Sequence, residues 1–402
     1  MKLLHTSDWH IGRTVRGQSR HAEQEAALQQ VLDHAREQAI DCLLVAGDVF
    51  DTSAPSPESE ALVYAFFREL YGAGIPAVVV AGNHDHPRRL DAVAPLLGSL
   101  RIHARGLPRG AAEGAVVEVE SRDGRERALV AALPWVNERD VVDFDRLQGE
   151  QGAPLTQYAD RMKAALDSLA RAFEPAACNV LVAHLLAHDA VVGPGGGERE
   201  LHMAMGVYGV RREAFTPPDA PSAQYVALGH VHKPQTILKS PRVDYSGSLL
   251  QLDFGEREQA KSVNLVEVHP RQPAQVTQLP ITAGREMIDI GSPEQGVPLN
   301  ELALWRDKAD SAWLRVFVDV DLPLANLPQM VRDVLPSAVH VERARRADEA
   351  APTAAERVGL GPVELFTRFY TGKLGRGHEP TPESLALFRR LLSEEEHATA
   401  EA

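Results

Sequence analysis

Aspartate, asparagine and histidine recur at five places in the sequence, each directly after a short apolar run. Runs of about four to eight apolar residues are typical of buried strands. The loop that follows such a strand is where an open α/β sheet places its chemistry. The five groups are Asp8 and His10; Asp48; Asn83, His84 and Asp85; His184; and His230 and His232.

The residue types at these strand ends favour metal binding. Carboxylate, amide oxygen and imidazole together suit divalent first-row metals such as manganese, iron, cobalt or zinc. Magnesium and calcium would be expected with oxygen ligands almost exclusively, and without thiolates a structural cysteine-type zinc site is excluded. Taken alone, the stretch around Asn83 also fits an ordinary polar turn. The same selection at five strand ends instead indicates a metal centre.

The order of these groups suggests two ions that share one ligand. One Asp/His pair, Asp8 and His10, lies near the start of the sequence, and the pair His230 and His232 lies far from it, with Asp48 between. Two ions a few ångström apart can hold a phosphate and polarise a water for in-line attack. Negative charge then builds on phosphoryl oxygens where the cations already sit.

The elements that position these groups alternate between strand and helix at first. Strands at 2–7, 41–46 and 75–80 are separated by helices at about 24–38 and from Pro57 to near Gly72, which predicts a parallel sheet layered with helices. Strands at 102–103, 116–120 and 128–133 then follow without intervening helices, so we expect a second, mixed or antiparallel sheet packed on the first. An amphipathic helix at 155–173, strands at 179–183 and 225–228, a Gly-rich loop at 193–197 and short strands up to about residue 280 complete this part.

The sequence predicts three parts. Residues 1–280 form the domain that carries the five groups, and residues 281–346 form a small α/β domain with its own strand and helix pattern. Residues 347–402 contain a charged, alanine-rich linker and two helices, at 363–370 and 382–396. The apolar face of Leu365, Phe366, Phe369 and Tyr370 is too small to form a core alone, so we expect this tail to dock.

Composition narrows the class of protein. The 402 residues carry a formal charge of 42 − 56 = −14, which argues against coating nucleic acid through bulk charge but allows a local or metal-bridged contact. No apolar run approaches a membrane span, and the amino terminus lacks a secretory signal, so a cytoplasmic location is expected. Cys42 and Cys178 lie in strand-like runs and are interpreted as reduced core residues.

The motifs resemble those of the calcineurin-like metallophosphoesterases, and the wider sequence resembles the bacterial nuclease subunits within that family. The resemblance implies a two-sheet α/β sandwich flanked by helices, with a small α/β capping domain and a C-terminal helical tail. It rests on Asp8-x-His10, Gly47-Asp48, Gly82-Asn83-His84-Asp85, His184 and Gly229-His230-x-His232, and extends to His5-Thr6-Ser7, Val49-Phe50-Asp51, Tyr225 to Leu228, Tyr245 to Ser248 and Val363 to Phe366.

The resemblance also implies a role for each residue, with manganese as the metal. His84 would face the scissile phosphate and stabilise the transition state or protonate the leaving oxygen, and Asp85 would orient His84 or a ligand. His188, four residues after His184, is an alternative ligand, but the strand-end position favours His184. Some relatives carry a histidine shortly after the bridging aspartate, where this chain has Asp51. The implied metal ligands are Asp8, His10 and His232 for one ion, Asn83, His184 and His230 for the other, and Asp48 between them.

The function implied is a manganese-dependent DNA nuclease, a double-strand exonuclease and single-strand or hairpin endonuclease. It would act as a dimer with a coiled-coil ATPase in DNA end processing, repair and recombination. The alternatives are a metallophosphatase or cyclic-nucleotide phosphodiesterase for small substrates, and a non-catalytic scaffold. Trp9 is interpreted either as packing or as a platform for a base. Arginines that could contact DNA phosphates, or simply be solvated, are Arg13, Arg16, Arg20, Arg88 and Arg89.

Overall fold

The chain forms two compact units in the computed structural model. One unit comprises Met1–Ile288 with Ser311–Trp313, and the other comprises Asp289–Asp310 with Leu314–Ala402. The predicted domain boundaries at residues 280 and 346 stay a prediction. The predicted loop at 193–197 and the linker after residue 345 lie outside the described residues, which are 1–137, 158–192, 208–309, 311–320, 324–344, 361–374 and 379–400.

The described strands and helices are numbered here in chain order. The strands are β1 (Lys2–Thr6), β2 (Thr14–Val15), β3 (Gln18–Ser19), β4 (Cys42–Val45), β5 (Ala77–Val80), β6 (Ile102–Arg105), β7 (Val116–Glu120), β8 (Arg127–Leu133), β9 (Cys178–His184), β10 (Tyr225–Gly229), β11 (Gln235–Lys239), β12 (Arg242–Tyr245), β13 (Lys261–Glu267), β14 (Gln275–Ile281), β15 (Glu286–Ile290), β16 (Val297–Pro298), β17 (Ala312–Asp319) and β18 (Ala338–Arg343). The α-helices are α1 (His21–Glu37), α2 (Pro57–Gly72), α3 (Pro87–Ser99), α4 (Tyr158–Ala170), α5 (Arg306–Ala309), α6 (Leu327–Val334), α7 (Pro362–Leu374) and α8 (Pro382–Ala400).

Two six-stranded sheets form the first unit. The first has the order β14-β13-β1-β4-β5-β6, and the second has the order β11-β12-β10-β9-β8-β7. Strands β1, β4, β5 and β6 run parallel, and β13 pairs antiparallel with β1. In the second sheet β8, β9, β10 and β12 run parallel, with antiparallel edge strands. The prediction of a second, mixed sheet is therefore confirmed.

The two sheets bury one apolar layer between them. Each sheet also buries an apolar layer on its outer face, under the helices that cover it. Leu3, Leu44 and Val78 of the first sheet share one cluster with Val130 and Val180 of the second. Helices α1 and α2 cover the first sheet through another cluster, and α4 covers the second sheet. Alternate residues of each buried strand face opposite layers, which is why the strands read as continuous apolar runs. Cys42 and Cys178 are buried free thiols in the central layer, as expected.

The assignment of residues 102–103 to the second sheet is wrong. Strand β6 pairs parallel with β5 and belongs to the first sheet. Helix α3, which the sequence interpretation missed, supplies the crossover that two adjacent parallel strands require. Its signal was present in the sequence, since Pro87 occupies the first turn and the His86 ring accepts the Arg89 N–H as an N-cap.

The second unit contains the C-terminal strands and helices. Strand β17 pairs parallel with β16 and β18, and α6 lies between β17 and β18 in the chain, as predicted. Both tail helices are present, and Phe366 of α7 stacks on Phe388 of α8 with ring centroids 4.2 Å apart. Among the described helices, none is both long and apolar enough to cross a membrane.

Candidate metal centre

The predicted site residues of all five strand ends meet at one edge of the two sheets. Asp8, Asp48 and Asn83 follow β1, β4 and β5. His184 is the last residue of β9, and His230 and His232 follow β10. Three overlapping groups place their donor atoms within 4.8 Å of one another. These groups are Asp8, His10 and His232; His10, Asp48 and His84; and Asp8, Asp48 and His184. Asp8, His10 and Asp48 each belong to two of them, so the groups overlap at these three residues.

The backbone at this edge adopts conformations that most residues avoid. A positive φ at a non-glycine residue costs about 1–3 kcal/mol and persists only where the surroundings impose it. Here the amides of Asp8 and His10 donate to the carbonyls of Gly47 and Asp48, each at 3.0 Å. The loops after β1 and β4 therefore hold each other in a strained form. The φ angles are 51° at Asp8, 46° at His10, 50° at Asp48 and 108° at His230.

Two glycines let the loops approach this closely. A Cβ at Gly47 would lie 2.3 Å from His184 Nδ1, and one at Gly82 would lie 2.1 Å from Asp48 Oδ1. Contacts below 3.0 Å require something to move. Glycine at these positions is therefore a condition for the observed position of the Asp48 carboxylate.

Oxygen acceptors fix the ring orientation of three histidines. His10 Nδ1 lies 3.2 Å from Asp51 Oδ1, and His184 Nδ1 lies 2.8 Å from the Ala46 carbonyl oxygen. His232 Nδ1 lies 2.9 Å from Glu256 Oε1. A neutral imidazole that donates through Nδ1 presents the lone pair of Nε2 to a metal. The same tautomer therefore suits all three as ligands.

Nε2 of His10 and His184 fits a metal better than a hydrogen bond. His10 Nε2 is buried and has no hydrogen-bond partner among the described residues. His184 faces oxygens with both ring nitrogens, since Nε2 lies 3.0 Å from Asn83 Oδ1, yet a neutral imidazole has one proton. Ligands at about 2.1 Å from an ion and at a right angle are about 3.0 Å apart. His184 Nε2 and Asn83 Oδ1 are therefore spaced as neighbouring ligands of one ion.

The remaining donor distances fit the same interpretation. His230 Nδ1 lies 2.8 Å from Asn83 Oδ1, and Asp48 Oδ2 lies 3.5 Å from His10 Nε2 and 3.6 Å from His184 Nε2. Burial, followed by the proximity of His184, keeps the pKa of His230 well below its ordinary value. His230 is therefore neutral, as a ligand must be. The donor set fits divalent ions at two adjacent positions that share Asp48.

The charge on Asp48 is stabilised by its neighbours. Burial would raise the pKa of this carboxyl, but the imidazoles of His184, His10 and His84 outweigh it and bring the pKa to about 2. The His84 amide also donates to Asp48 Oδ1 at 2.9 Å. Asp48 is thus a carboxylate at neutral pH, and its Oδ2 atom faces Nε2 of both His10 and His184.

Of the two roles implied for Asp85, orienting His84 or orienting a ligand, the hydrogen bonds of its carboxylate fit the second. Its carboxylate accepts the backbone N–H groups of Val49, Phe50 and Gly82 at 2.8–3.2 Å, and therefore fixes the loop that carries Asp48. The His84 ring instead contacts the Asp51 carbonyl oxygen through Nδ1 at 2.8 Å. Burial, with a smaller effect of Asp48, raises the pKa of Asp85.

The structure decides two of the alternatives left open by the sequence, the choice between His184 and His188 and the role of Trp9. His184 lies in the cluster, whereas the His188 side chain is 59% exposed and lies beside Asp189. Trp9 is a packing residue, buried against Phe66 with its indole N–H on Thr6 Oγ1.

Arg20 is excluded as a contact for DNA. Its side chain is 1% exposed and bonds the Glu23 carboxylate and the Gln251 carbonyl. Of the other candidate arginines, Arg13 pairs with Asp51 at 3.2 Å, beside the cluster of metal-donor side chains. Arg89 pairs with Glu60. Proximity to the site therefore favours Arg13 among these three.

The sequence interpretation missed Glu256, Lys261 and Trp135 near the cluster, and it named Asp51 only as the position where some relatives carry a histidine. Asp51 contacts His10, and Glu256 contacts His232. Lys261 donates to Glu256 at 2.6 Å. Trp135 packs on His230 with ring centroids 4.8 Å apart and planes tilted by 30°. Glu256 and Trp135 lie far along the chain from the histidines they contact, so spacing gave no signal.

Comparison with known proteins identifies the family. Residues 1–234 match the calcineurin-like phosphoesterase family, and residues 286–373 match the type 5 capsule protein repressor C-terminal domain. The chain is 32% identical to SbcD of the nuclease SbcCD from Bacillus subtilis, covering 99% of this chain and 100% of that protein. The SbcD proteins of Rhodobacter capsulatus and Escherichia coli are 32% and 28% identical, covering 88% and 92% of this chain and 90% and 92% of theirs. The chain therefore belongs to the calcineurin-like phosphoesterases and, within them, to the SbcD family of nuclease subunits.

Proposed function

We propose that this chain is a metal-dependent DNA nuclease that hydrolyses phosphodiester bonds at DNA ends and in single-stranded or hairpin regions. One observation carries the proposal. The metal-donor cluster lies in a chain that aligns over 99% of its length with a protein named as a nuclease subunit. We further propose manganese as the metal, because the family resemblance implies it and the mixed oxygen and imidazole donors are compatible with a first-row divalent ion.

We propose Asp8, His10 and His232 as ligands of one ion, Asn83, His184 and His230 as ligands of the other, and Asp48 as the bridge. Two divalent ions held by these residues would supply electrostatic stabilisation of the phosphoryl oxygens and would lower the pKa of a bound water. Around them, this chain contributes a buried floor, since Asp8, His10 and Asp48 are each at most 1% exposed. Asn83, in contrast, is exposed and opens the cluster to a substrate.

We propose His84 as the catalytic residue. Its Nδ1 contacts the Asp51 carbonyl oxygen, which can only accept, so Nδ1 carries a proton. Nε2 is then the nitrogen left to face the substrate, and in the imidazolium form, where both ring nitrogens carry a proton, it donates to a phosphoryl oxygen or protonates the leaving oxygen. His84 is partly exposed beside buried His10, with ring centroids 4.8 Å apart. Asp85 is a positioning residue that holds the loop of Asp48.

An assay on DNA tests the proposed substrate. Purified protein in Mn²⁺ should shorten linear duplexes and open hairpins, and a chelator should abolish both. Hydrolysis of small phosphate esters with intact DNA, with and without the SbcC partner, would instead support a metallophosphatase or cyclic-nucleotide phosphodiesterase. Neither activity in manganese-loaded protein would favour a non-catalytic scaffold.

We propose that SbcC, the partner implied by the name of the relatives, binds the tail formed by α7 and α8. A partner that grips DNA would explain how a chain of charge −14 acts on a polyanion. In this proposal two copies work in one complex in the cytoplasm, in DNA end processing, repair and recombination. Deletion of residues 356–402 should abolish co-purification with SbcC but preserve metal-dependent phosphoester hydrolysis. Retention of SbcC by the shortened chain would place the docking site elsewhere.

A further inference from the structure

A buried ion pair lies directly behind one of the proposed ligands. Glu256 Oε1 is 2.9 Å from His232 Nδ1, and Glu256 Oε2 is 2.6 Å from Lys261 Nζ. The carboxylate side chain is 2% exposed and the lysine side chain 4% exposed. Both groups belong to the first unit.

The pair is enclosed by further hydrogen bonds. Glu256 Oε2 also accepts the Leu252 amide at 3.2 Å. Lys261 Nζ donates to Ser248 Oγ at 2.8 Å and to the His232 carbonyl oxygen at 3.1 Å. The ammonium therefore contacts the residue whose ring the carboxylate orients, and the backbone and the ring of His232 are fixed by the same pair.

Stability alone is a poor reason for such an arrangement. Removing two charges from water costs several kcal/mol per ion, and apolar replacements of buried pairs are often neutral or stabilising. A carboxylate on the distal nitrogen of a metal-binding imidazole has a specific effect, however. It fixes the tautomer, orients the ring and raises the basicity of the nitrogen that faces the metal.

We propose that Glu256, anchored by Lys261, is a positioning residue that sets the metal affinity of the Asp8, His10 and His232 position. The inference rests on the proposed metal ligands but not on DNA as the substrate. The other position differs, because Ala46 contacts His184 with a neutral carbonyl and Trp135 packs on His230 with an apolar ring. Loss of the Glu256 charge should therefore weaken one of the two ions selectively.

Titration of metal-stripped protein with Mn²⁺ tests this inference without any substrate. Wild-type protein should bind two ions per chain, and Glu256→Gln should bind one of them about 10–100-fold more weakly while the other keeps its affinity. Glu256→Asp, which retains the charge on a shorter side chain, should recover part of the loss. Wild-type affinity at both positions in Glu256→Gln would overturn the inference.

A double variant separates positioning from folding. Glu256→Gln leaves the Lys261 ammonium buried without its anion, so its metal-free form should melt at a lower temperature. Glu256→Gln combined with Lys261→Met removes both charges and should recover thermal stability, yet still bind one Mn²⁺ weakly. Recovery of metal affinity together with stability would mean that the pair acts only on the fold.

These outcomes are distinguishable from failure of the proposed function. Wild-type protein that binds two Mn²⁺ ions but leaves DNA intact would contradict the nuclease proposal and leave the effect of Glu256 measurable. Wild-type protein that binds no Mn²⁺ would contradict both proposals. Exposed Glu118 offers a matched control, since it lies on edge strand β7, three strands away from β10 in the second sheet, and Glu118→Gln removes an equal charge there and should keep both affinities.

Discussion

At the scale of single residues, the sequence predicts the donors of the cluster but not the groups behind them. Asp8, His10, Asp48 and the other donors are recognisable because each follows a strand and has a side chain that binds metal. Asp51 and Glu256 have no such signature, since a carboxylate in a loop is common on any protein surface. Their contacts with His10 and His232 depend on how distant segments pack.

One buried histidine outside the cluster should make stability depend on pH. His5 is fully buried, contacts the Tyr225 hydroxyl and the Leu228 carbonyl, and its pKa is lowered by burial from 6.5 to about 3. Below pH 6.5 the unfolded chain therefore binds a proton that the folded chain does not. Through this group the free energy of unfolding should fall with decreasing pH, by up to about 1.4 kcal/mol per unit down to about pH 3.

Urea unfolding of metal-free protein at several pH values measures this contribution. His5→Gln removes the titrating group, so its destabilisation relative to wild type should be largest above pH 7 and shrink as the pH falls. Tyr225→Phe removes the contacting hydroxyl but keeps the imidazole, and should retain the wild-type slope. A constant difference between wild type and His5→Gln from pH 7.5 to 5 would contradict the assignment.

At the scale of elements, the sequence predicts most strands and misplaces one. The buried strands are recognisable as apolar runs, whereas β6 alternates buried and half-buried residues and its neighbour α3 contains an internal proline. Because α3 was not predicted, no crossover helix connected the strand at residue 102 to β5, and the strand was assigned to the second sheet. The loops between elements carry the site, and their close approach cannot be deduced from local propensity.

Substitution of one loop glycine should disrupt metal binding. In Gly82→Ala the new Cβ would lie 2.1 Å from Asp48 Oδ1 and 2.4 Å from the Asp48 amide nitrogen. The Asp48 carboxylate must then move, and because it lies between both groups of donors, Mn²⁺ binding should be lost at both positions. Metal content measured by mass spectrometry checks this outcome.

Gly98 in α3 is the matched control. Apart from the neighbouring residues and the backbone of α3 itself, no heavy atom lies within 4 Å of a Cβ built there, so Gly98→Ala should keep both ions and stabilise the helix by up to about 1 kcal/mol. Two bound ions in Gly82→Ala would show that the loops have more room than the close contacts indicate.

At the scale of the whole molecule, the class of fold follows from the sequence but the order of the strands does not. A parallel sheet and a second mixed sheet are predictable from alternation and from strands without helices. The return of β13 to pair with β1 joins residues more than 250 positions apart and leaves no periodic signal. This return also brings Lys261, the first residue of β13, to the ion pair behind His232. Long-range pairing thus completes a site whose donors the sequence already contains.

The central claim is that this cluster holds two ions and that His84 performs the chemistry without holding them. The most direct test measures Mn²⁺ per chain and cleavage of linear duplex DNA in wild type and His84→Ala. We expect two ions in both proteins and a loss of cleavage of about 10²- to 10⁴-fold in the variant, the range of a lost general acid. Loss of bound Mn²⁺ in His84→Ala, or cleavage at the wild-type rate, would contradict the account.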